Sequence, residues 1–141
     1  MNHKGHKVFT QRTQRMSENE LAKIVLNSAF KVHQALGPGL LESTYEECLY
    51  YELRKAGINV EKQKALPLIY EEVRLDAGYR IDLLINNKLI IEIKAVDSLN
   101  DIHMAQIVTY LKLSGCKLGL LINFNTVLLK NGIKRVINGT L

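Results

Sequence analysis

The sequence predicts one α/β domain, a central mixed sheet flanked by helices, and three observations carry that expectation. Apolar residues recur at three- and four-residue spacing to about residue 56, and the period then falls to near two. A last helical stretch, about 100–114, then separates two apolar strands from a third. A chain of 141 residues, 47% hydrophobic and 23% charged, buries one sizeable core and is short for two ordinary domains. The expected division is a flexible basic N-terminal arm over residues 1–16 and a single domain over 17–141.

The arm shows neither period and holds Lys4, Lys7, Arg12 and Arg15 with no acid. Ser17-Glu18-Asn19-Glu20 has the form of a capping box and starts a helix. Its apolar face is Leu21, Ile24, Val25, Ala29, Val32 and Leu36, and Gly37-Pro38-Gly39 ends it. A second helix is expected from about Leu40 to Ala56, striped by Leu41, Tyr45, Cys48, Leu49, Glu52 and Leu53 and closed at Gly57. Near-alternation from Ile58 to Leu75 reads as short strands, with a break at Pro67, which lacks an N–H, and a turn at Glu71-Glu72. Tyr79–Ile85 and Leu89–Ala95 are stronger strands. Ser98 or Asn100 caps a third helix that runs to about Ser114 and stops at Gly115. Lys117–Asn123 is a buried strand, and Val127–Ile137 adds one more strand or a hairpin around Asn131-Gly132.

Composition excludes several classes. No apolar run reaches the roughly 18 residues of a bilayer span, and the N-terminus lacks the apolar core of a signal peptide. A cytoplasmic location and no membrane partner are therefore expected. Cys48 and Cys116 lie far apart inside apolar patterns, as reduced core thiols do. His33 and His103 are the only histidines after the arm, too few for a zinc site. Neither a phosphate-cradling Gly-rich loop nor a nucleophile–histidine arrangement with a supporting motif is present.

The hairpin YRIDLLINNKLIIEIKA tests chemistry through register. A two-residue loop mixes apolar and charged residues on both faces, whereas the three-residue loop Asn86-Asn87-Lys88 pairs Ile85 with Leu89, Leu83 with Ile91 and Ile81 with Ile93. One face is then wholly apolar, and the other collects Arg80, Asp82, Leu84, Ile90, Glu92 and Lys94, with Asp82 opposite Glu92. Two adjacent carboxylates repel unless a cation lies between them, and oxygen ligands suit Mg²⁺ or Mn²⁺, with the Ile93 backbone carbonyl as a further ligand. On spacing alone, an ordinary ion pair of Lys94 with either acid on a solvated face is the commoner arrangement.

Asp82 followed by Glu92-Ile93-Lys94 on consecutive strands, after one helix and before another, resembles the PD-(D/E)XK nuclease superfamily. Gly39-Leu40-Leu41-Glu42-Ser43-Thr44-Tyr45 is similar to the signature of its GxxExxY branch, as are GYRIDLLI, IIEIKAV and YLKLSGCKLGLLINFN. No Pro precedes Asp82, where Arg80-Ile81 stand. The resemblance covers about Asn19 to Gly139 and implies a restriction-endonuclease-like αβββαβ core. It implies Asp82 and Glu92 as metal ligands, Lys94 as the catalytic lysine, and Glu42 as an acid that binds a second metal or orients water. It also implies a role for Gln106, which orders water or substrate, and for Tyr110, spaced Gln-x-x-x-Tyr on one helix face.

The expected function is hydrolysis of DNA phosphodiester bonds by a metal-activated water. The alternative is an inactive module that keeps the fold and binds nucleic acid or protein. Monomer and dimer both stay open. Net charge is +5, but Ser17–Asp101 holds 10 bases and 14 acids, whereas Ile102–Leu141 holds 5 bases and no acid. Positive charge for a polyanion therefore comes from the arm, the metal, Lys94 and this C-terminal segment, in which Lys112 is a candidate substrate-binding residue.

Overall fold

Ser17 starts the first helix as its capping box requires: its hydroxyl accepts the Glu20 N–H at 3.2 Å and Glu20 Oε1 accepts the Ser17 N–H at 2.9 Å. The structure, a computed structural model, describes residues 15–76 and 78–141. Of the expected arm, only Arg15 and Met16 fall among these residues. Met16 packs against the core, and its carbonyl accepts the Lys88 ammonium at 2.8 Å.

Helix α1 spans Glu18–Leu36 and α2 spans Glu42–Lys55. The second helix starts two residues later than the spacing suggests, because the turn before it is held open by Tyr45. The buried phenol donates to the Gly37 carbonyl at 2.6 Å and accepts the Leu40 N–H at 3.1 Å, and its ring stacks on Phe124 with centroids 4.6 Å apart. Leu41 therefore stays extended and exposed, and Glu42 occupies the first helical position.

Strands β1 (Val60–Ala65), β2 (Leu68–Tyr70), β3 (Val73–Leu75), β4 (Arg80–Ile85) and β5 (Leu89–Lys94) precede helix α3 (Asp101–Ser114), and β6 (Leu118–Asn123) and β7 (Ile133–Ile137) follow it. Five of them form one sheet in the order β1-β4-β5-β6-β7, while β2 and β3 make a separate hairpin. Only β5 and β6 run parallel, and α3 makes the crossover that parallel neighbours need. The expected αβββαβ order and mixed sheet are present, with the β2–β3 hairpin inserted and β7 added at an edge. A hairpin around Asn131-Gly132 does not form. Leu129–Gly132 is a 3₁₀ turn, and β7 pairs with β6. Gly132 ends that turn and lies so close to the Asn123 backbone carbonyl that a Cβ has no room, so the glycine is required by a close approach and not by a hairpin.

The β4–β5 register is the expected one: Leu83 faces Ile91, Leu84 faces Ile90 and Ile85 faces Leu89. Asn86 and Asn87 turn the chain at φ of 52° and 56°, a left-handed conformation that Asn tolerates. The expected division into one apolar and one polar face is corrected. Leu83, Ile85, Leu89, Ile91 and Ile93 pack against α1 and α2, yet Leu84 and Ile90 are also buried, under Ile107, Tyr110 and Leu111 of α3. The crossover helix covers the second face, as it does wherever strands run parallel. Ile81, expected beside Leu83, lies in this second cluster, so alternation along β4 breaks at Asp82. Its pairing with Ile93 is not in the ladder, which ends at Leu83 and Ile91.

Tyr45→Phe leaves the Gly37 carbonyl and Leu40 N–H without their partner. We expect a loss of about 1–3 kcal/mol in stability, read as a lower urea midpoint with an unchanged slope.

Candidate active site

The two strands that carry Asp82 and Glu92 separate just where those residues lie. Beyond Leu83–Ile91 the side chains replace the ladder: the Asp82 N–H donates to Glu92 Oε2 at 3.0 Å, and the Ile93 N–H donates to Asp82 Oδ2 at 2.8 Å. Each carboxylate thus satisfies the backbone of the opposite strand. Glu92 is only 4% exposed. Burial, followed by the charge of Asp82, pushes its pKa from the ordinary 4.5 to about 8, against the pull of the Asp82 N–H and Lys94. Burial also raises Asp82, while hydrogen bonds from Ile93 and Gln63 and the charge of Lys94 act the other way.

Lys94 ends β5, half-buried, and its charge favours ionisation of both acids. Among the described residues it makes no ion pair within 4 Å, so the ordinary surface pair considered from spacing is not formed. Its backbone is fixed, since the Lys94 carbonyl accepts the Phe124 N–H at 2.9 Å. The buried Asn123 holds the next turn by accepting the Val96 N–H at 3.1 Å and donating to the Val96 carbonyl at 2.9 Å.

Glu42 reaches the same strand end, with Oε2 accepting the Ala95 N–H at 3.2 Å, and its charge bears on Asp82. From the other face, the Gln106 amide donates to the Tyr110 hydroxyl at 3.0 Å. Burial and then the charges of Glu92 and Asp82 raise the Tyr110 pKa, against the hydrogen bond from Gln106. The structure therefore brings Glu42, Asp82, Glu92, Lys94, Gln106 and Tyr110 together. Lys112 stays apart: it is exposed, about 120° round α3 from Gln106 and about 160° from Tyr110.

Three neighbours of the site escaped the sequence. Glu46 sits one turn after Glu42, a spacing that was legible; burial and the charge of Asp82 raise its pKa. The Gln63 amide donates to Glu46 Oε1 at 2.9 Å and to Asp82 Oδ1 at 3.2 Å. Asn123 is the third, hidden in an apolar strand.

The donor set suits a hard divalent cation. Asp82 and Glu92 offer oxygens only, Glu92 is buried and forms no ion pair among the described residues, and the Ile93 carbonyl follows Glu92 directly in sequence. Among the described residues, no three His, Cys, Asp or Glu side chains converge to hold a metal by themselves. The groups that could contribute to a divalent-cation site are thus two carboxylates and a carbonyl, a sparse set that would leave other positions to water. A family model described as the PD-(D/E)XK nuclease superfamily matches residues 19–136.

The chain belongs to the PD-(D/E)XK nuclease superfamily.

No curated protein and no solved structure matches it significantly. The five-stranded mixed sheet flanked by helices is the restriction-endonuclease-like fold of that superfamily. PD-(D/E)XK nucleases generally use divalent metals, and the oxygen-only pair of this member agrees with that habit. No helix among the described residues is long and apolar enough to cross a membrane.

The raised Glu92 pKa makes stability depend on pH. Between its ordinary 4.5 and about 8 the folded protein keeps a proton that the unfolded chain has lost. The unfolded state then binds fewer protons, so stability falls as pH rises through this window. We expect the Tm of metal-free protein to drop from pH 5 to pH 8, and Glu92→Gln to flatten the slope. Thermal melts across that range check it, and parallel slopes for the two proteins contradict it.

Proposed function

We propose that this chain hydrolyses phosphodiester bonds of DNA with the help of Mg²⁺ or Mn²⁺. The observation that carries the reading is the interlocked Asp82–Glu92 pair, with Glu92 buried and neither acid ion-paired among the described residues, beside Lys94 in a member of a nuclease superfamily. Asp82, Glu92 and the Ile93 carbonyl would hold the ion, with Glu42 completing the set through water or binding a second one. A divalent cation there supplies a Lewis acid for a phosphoryl oxygen and lowers the pKa of water.

The residues divide the remaining work. Lys94, free of an ion pair, stabilises charge that develops on the phosphoryl oxygens. Gln106 orders water or substrate through its amide, whose donor already meets the Tyr110 hydroxyl. Both line an apolar cleft of about 260 Å³ with Leu68, Tyr79, Thr109 and Leu113. Sugar and base next to the scissile phosphate fit such a surface, since nucleobases stack on aromatic rings. Lys112, away from the cleft, would touch the backbone at a distance from the reacting phosphate. The stretch Gly39–Tyr45 supports assignment to the GxxExxY branch, and its Tyr45 supports Glu42 by holding the turn ahead of it.

The test is cleavage of single-stranded, duplex and branched DNA with Mg²⁺ or Mn²⁺. Wild-type protein should cut at least one substrate and stop in EDTA. Lys94→Ala should lower the rate by about 10²–10³-fold, the order seen when one electrostatic donor is removed, and Asp82→Asn should abolish metal dependence and cutting together. Binding to DNA that persists in EDTA, unaffected by these substitutions and without cutting, identifies a non-catalytic module instead.

A further inference from the structure

Gln63 does something that a strand residue ordinarily cannot. Successive side chains along a strand point to opposite faces, yet Lys62 pairs with Glu47 and Gln63 bonds Glu46, two neighbours on the same helix α2. A φ of +52° at Gln63 makes this possible. That left-handed conformation is unfavourable for a residue with a Cβ and is most often left to Gly or Asn.

Across the sheet β4 answers with the same irregularity. Leu83 packs towards α1 and α2 whereas Ile81 packs under α3, so the chain changes face at Asp82. Pairing on either side keeps one register, Lys62 with Leu83 and Lys64 with Ile81. Nothing is inserted; the kink is purely conformational and falls on Gln63 and Asp82. On β4 the change of face buries Ile81, but on β1 it buries nothing, because Gln63 is exposed. What it achieves is a tether: one amide group donates to Asp82 Oδ1 and to Glu46 Oε1, and the Gln63 carbonyl accepts Arg80 at 3.3 Å.

Resting on the nuclease reading, we propose that Gln63 is a positioning residue whose strained backbone and bridging amide fix the Asp82 carboxylate between Glu46 and the β5 backbone, pre-oriented for a divalent cation. With Oδ2 held by the Ile93 N–H and Oδ1 by Gln63, both oxygens of Asp82 have defined directions before any ion arrives. The amide also places two N–H donors between two acids that otherwise repel. Strain of this kind persists where the surroundings over-determine it, as at functional sites.

Two substitutions separate this role from a structural one. Gln63→Gly and Gln63→Asn both suit a left-handed φ, and neither spans the distance to Glu46 and Asp82. The readouts are the Tm of the metal-free chain and Mn²⁺ affinity by calorimetry without substrate, followed by cleavage. The expected result is a Tm equal to or above wild type in both variants, with Mn²⁺ affinity reduced about 10–100-fold, the usual effect of losing a residue that orients a metal ligand. Unchanged Mn²⁺ affinity and cleavage in both variants overturn the positioning role while leaving the nuclease reading intact. A fall in Tm that accounts for all loss of function also overturns it. Wild-type protein that neither binds Mn²⁺ nor cuts removes the nuclease reading and this proposal with it.

Discussion

Where β4 and β5 part, two backbone N–H groups lose their ladder partners, and the structure around them follows from how that loss is made good. Unpaired buried amides are expensive, and here Asp82 and Glu92 each accept one from the other strand. The carboxylates are therefore needed for the fold as well as for chemistry. They also become rigid, because a side chain that replaces a ladder bond has no rotameric freedom left. The parted strand ends lie between α2, whose Glu42 accepts the Ala95 N–H, and α3, whose Tyr110 feels the charge of Glu92, so residues from three parts of the sequence converge there.

Charge and burial oppose each other at this point. Taking Glu92 out of water next to Asp82 raises the energy of the doubly ionised pair, and a lysine that forms no ion pair offsets only part of it. A proton at Glu92 or a divalent cation relieves the remainder, and the two compete for the same oxygens. Metal affinity in this kind of site is inseparable from pH. The fold supplies the stiffness that keeps the acids from moving apart: β5 lies in the middle of the five-stranded sheet, and Asn123 clamps the turn that follows Lys94.

Much of this was legible because hydrophobic periodicity fixes register. The apolar residues of YRIDLLINNKLIIEIKA tolerate only the three-residue loop, and that alone sets Asp82 against Glu92. Helix ends were legible from Ser17 and Gly115 for equally local reasons. The exposed second face was misread, since Leu84, Ile90 and Glu92 look like a mixed face until α3 is placed on it. Tertiary contact, not local pattern, decides such a face. Ile81 was misassigned because alternation was carried through a kink, and the kink at Gln63 leaves no trace in residue type. A Gly or Asn there would have marked it; a Gln does not. Of the two readings of 127–137, one more strand or a hairpin, the strand forms as β7, and Asn131-Gly132 lies in a 3₁₀ turn whose glycine meets the Asn123 backbone.

The sequence's uneven charge acquires meaning from the sheet order. All 14 acids fall before residue 102, six of them on α2, β4 and β5 around the site, while the segment without acids contributes α3 after its first residue, β6 and β7. β7 is an edge strand carrying Lys134 and Arg135, both exposed, and Lys130 lies in the turn before it, whereas Lys112 is on the outer side of α3. These C-terminal bases therefore lie on other elements than Asp82 and Glu92, and Lys94 is the base beside the pair. For the proposed nuclease this arrangement is the useful one: flanking cations would attract a polyanion's backbone over a Debye length of about 8 Å at physiological salt, and the acids would hold the ion that meets a single phosphate. Were the same bases interleaved with Asp82 and Glu92, they would neutralise the pair and compete with the cation. Keeping the C-terminal bases off the strands that carry the acid pair would let one small domain attract a phosphate chain and still concentrate negative ligand charge at one point.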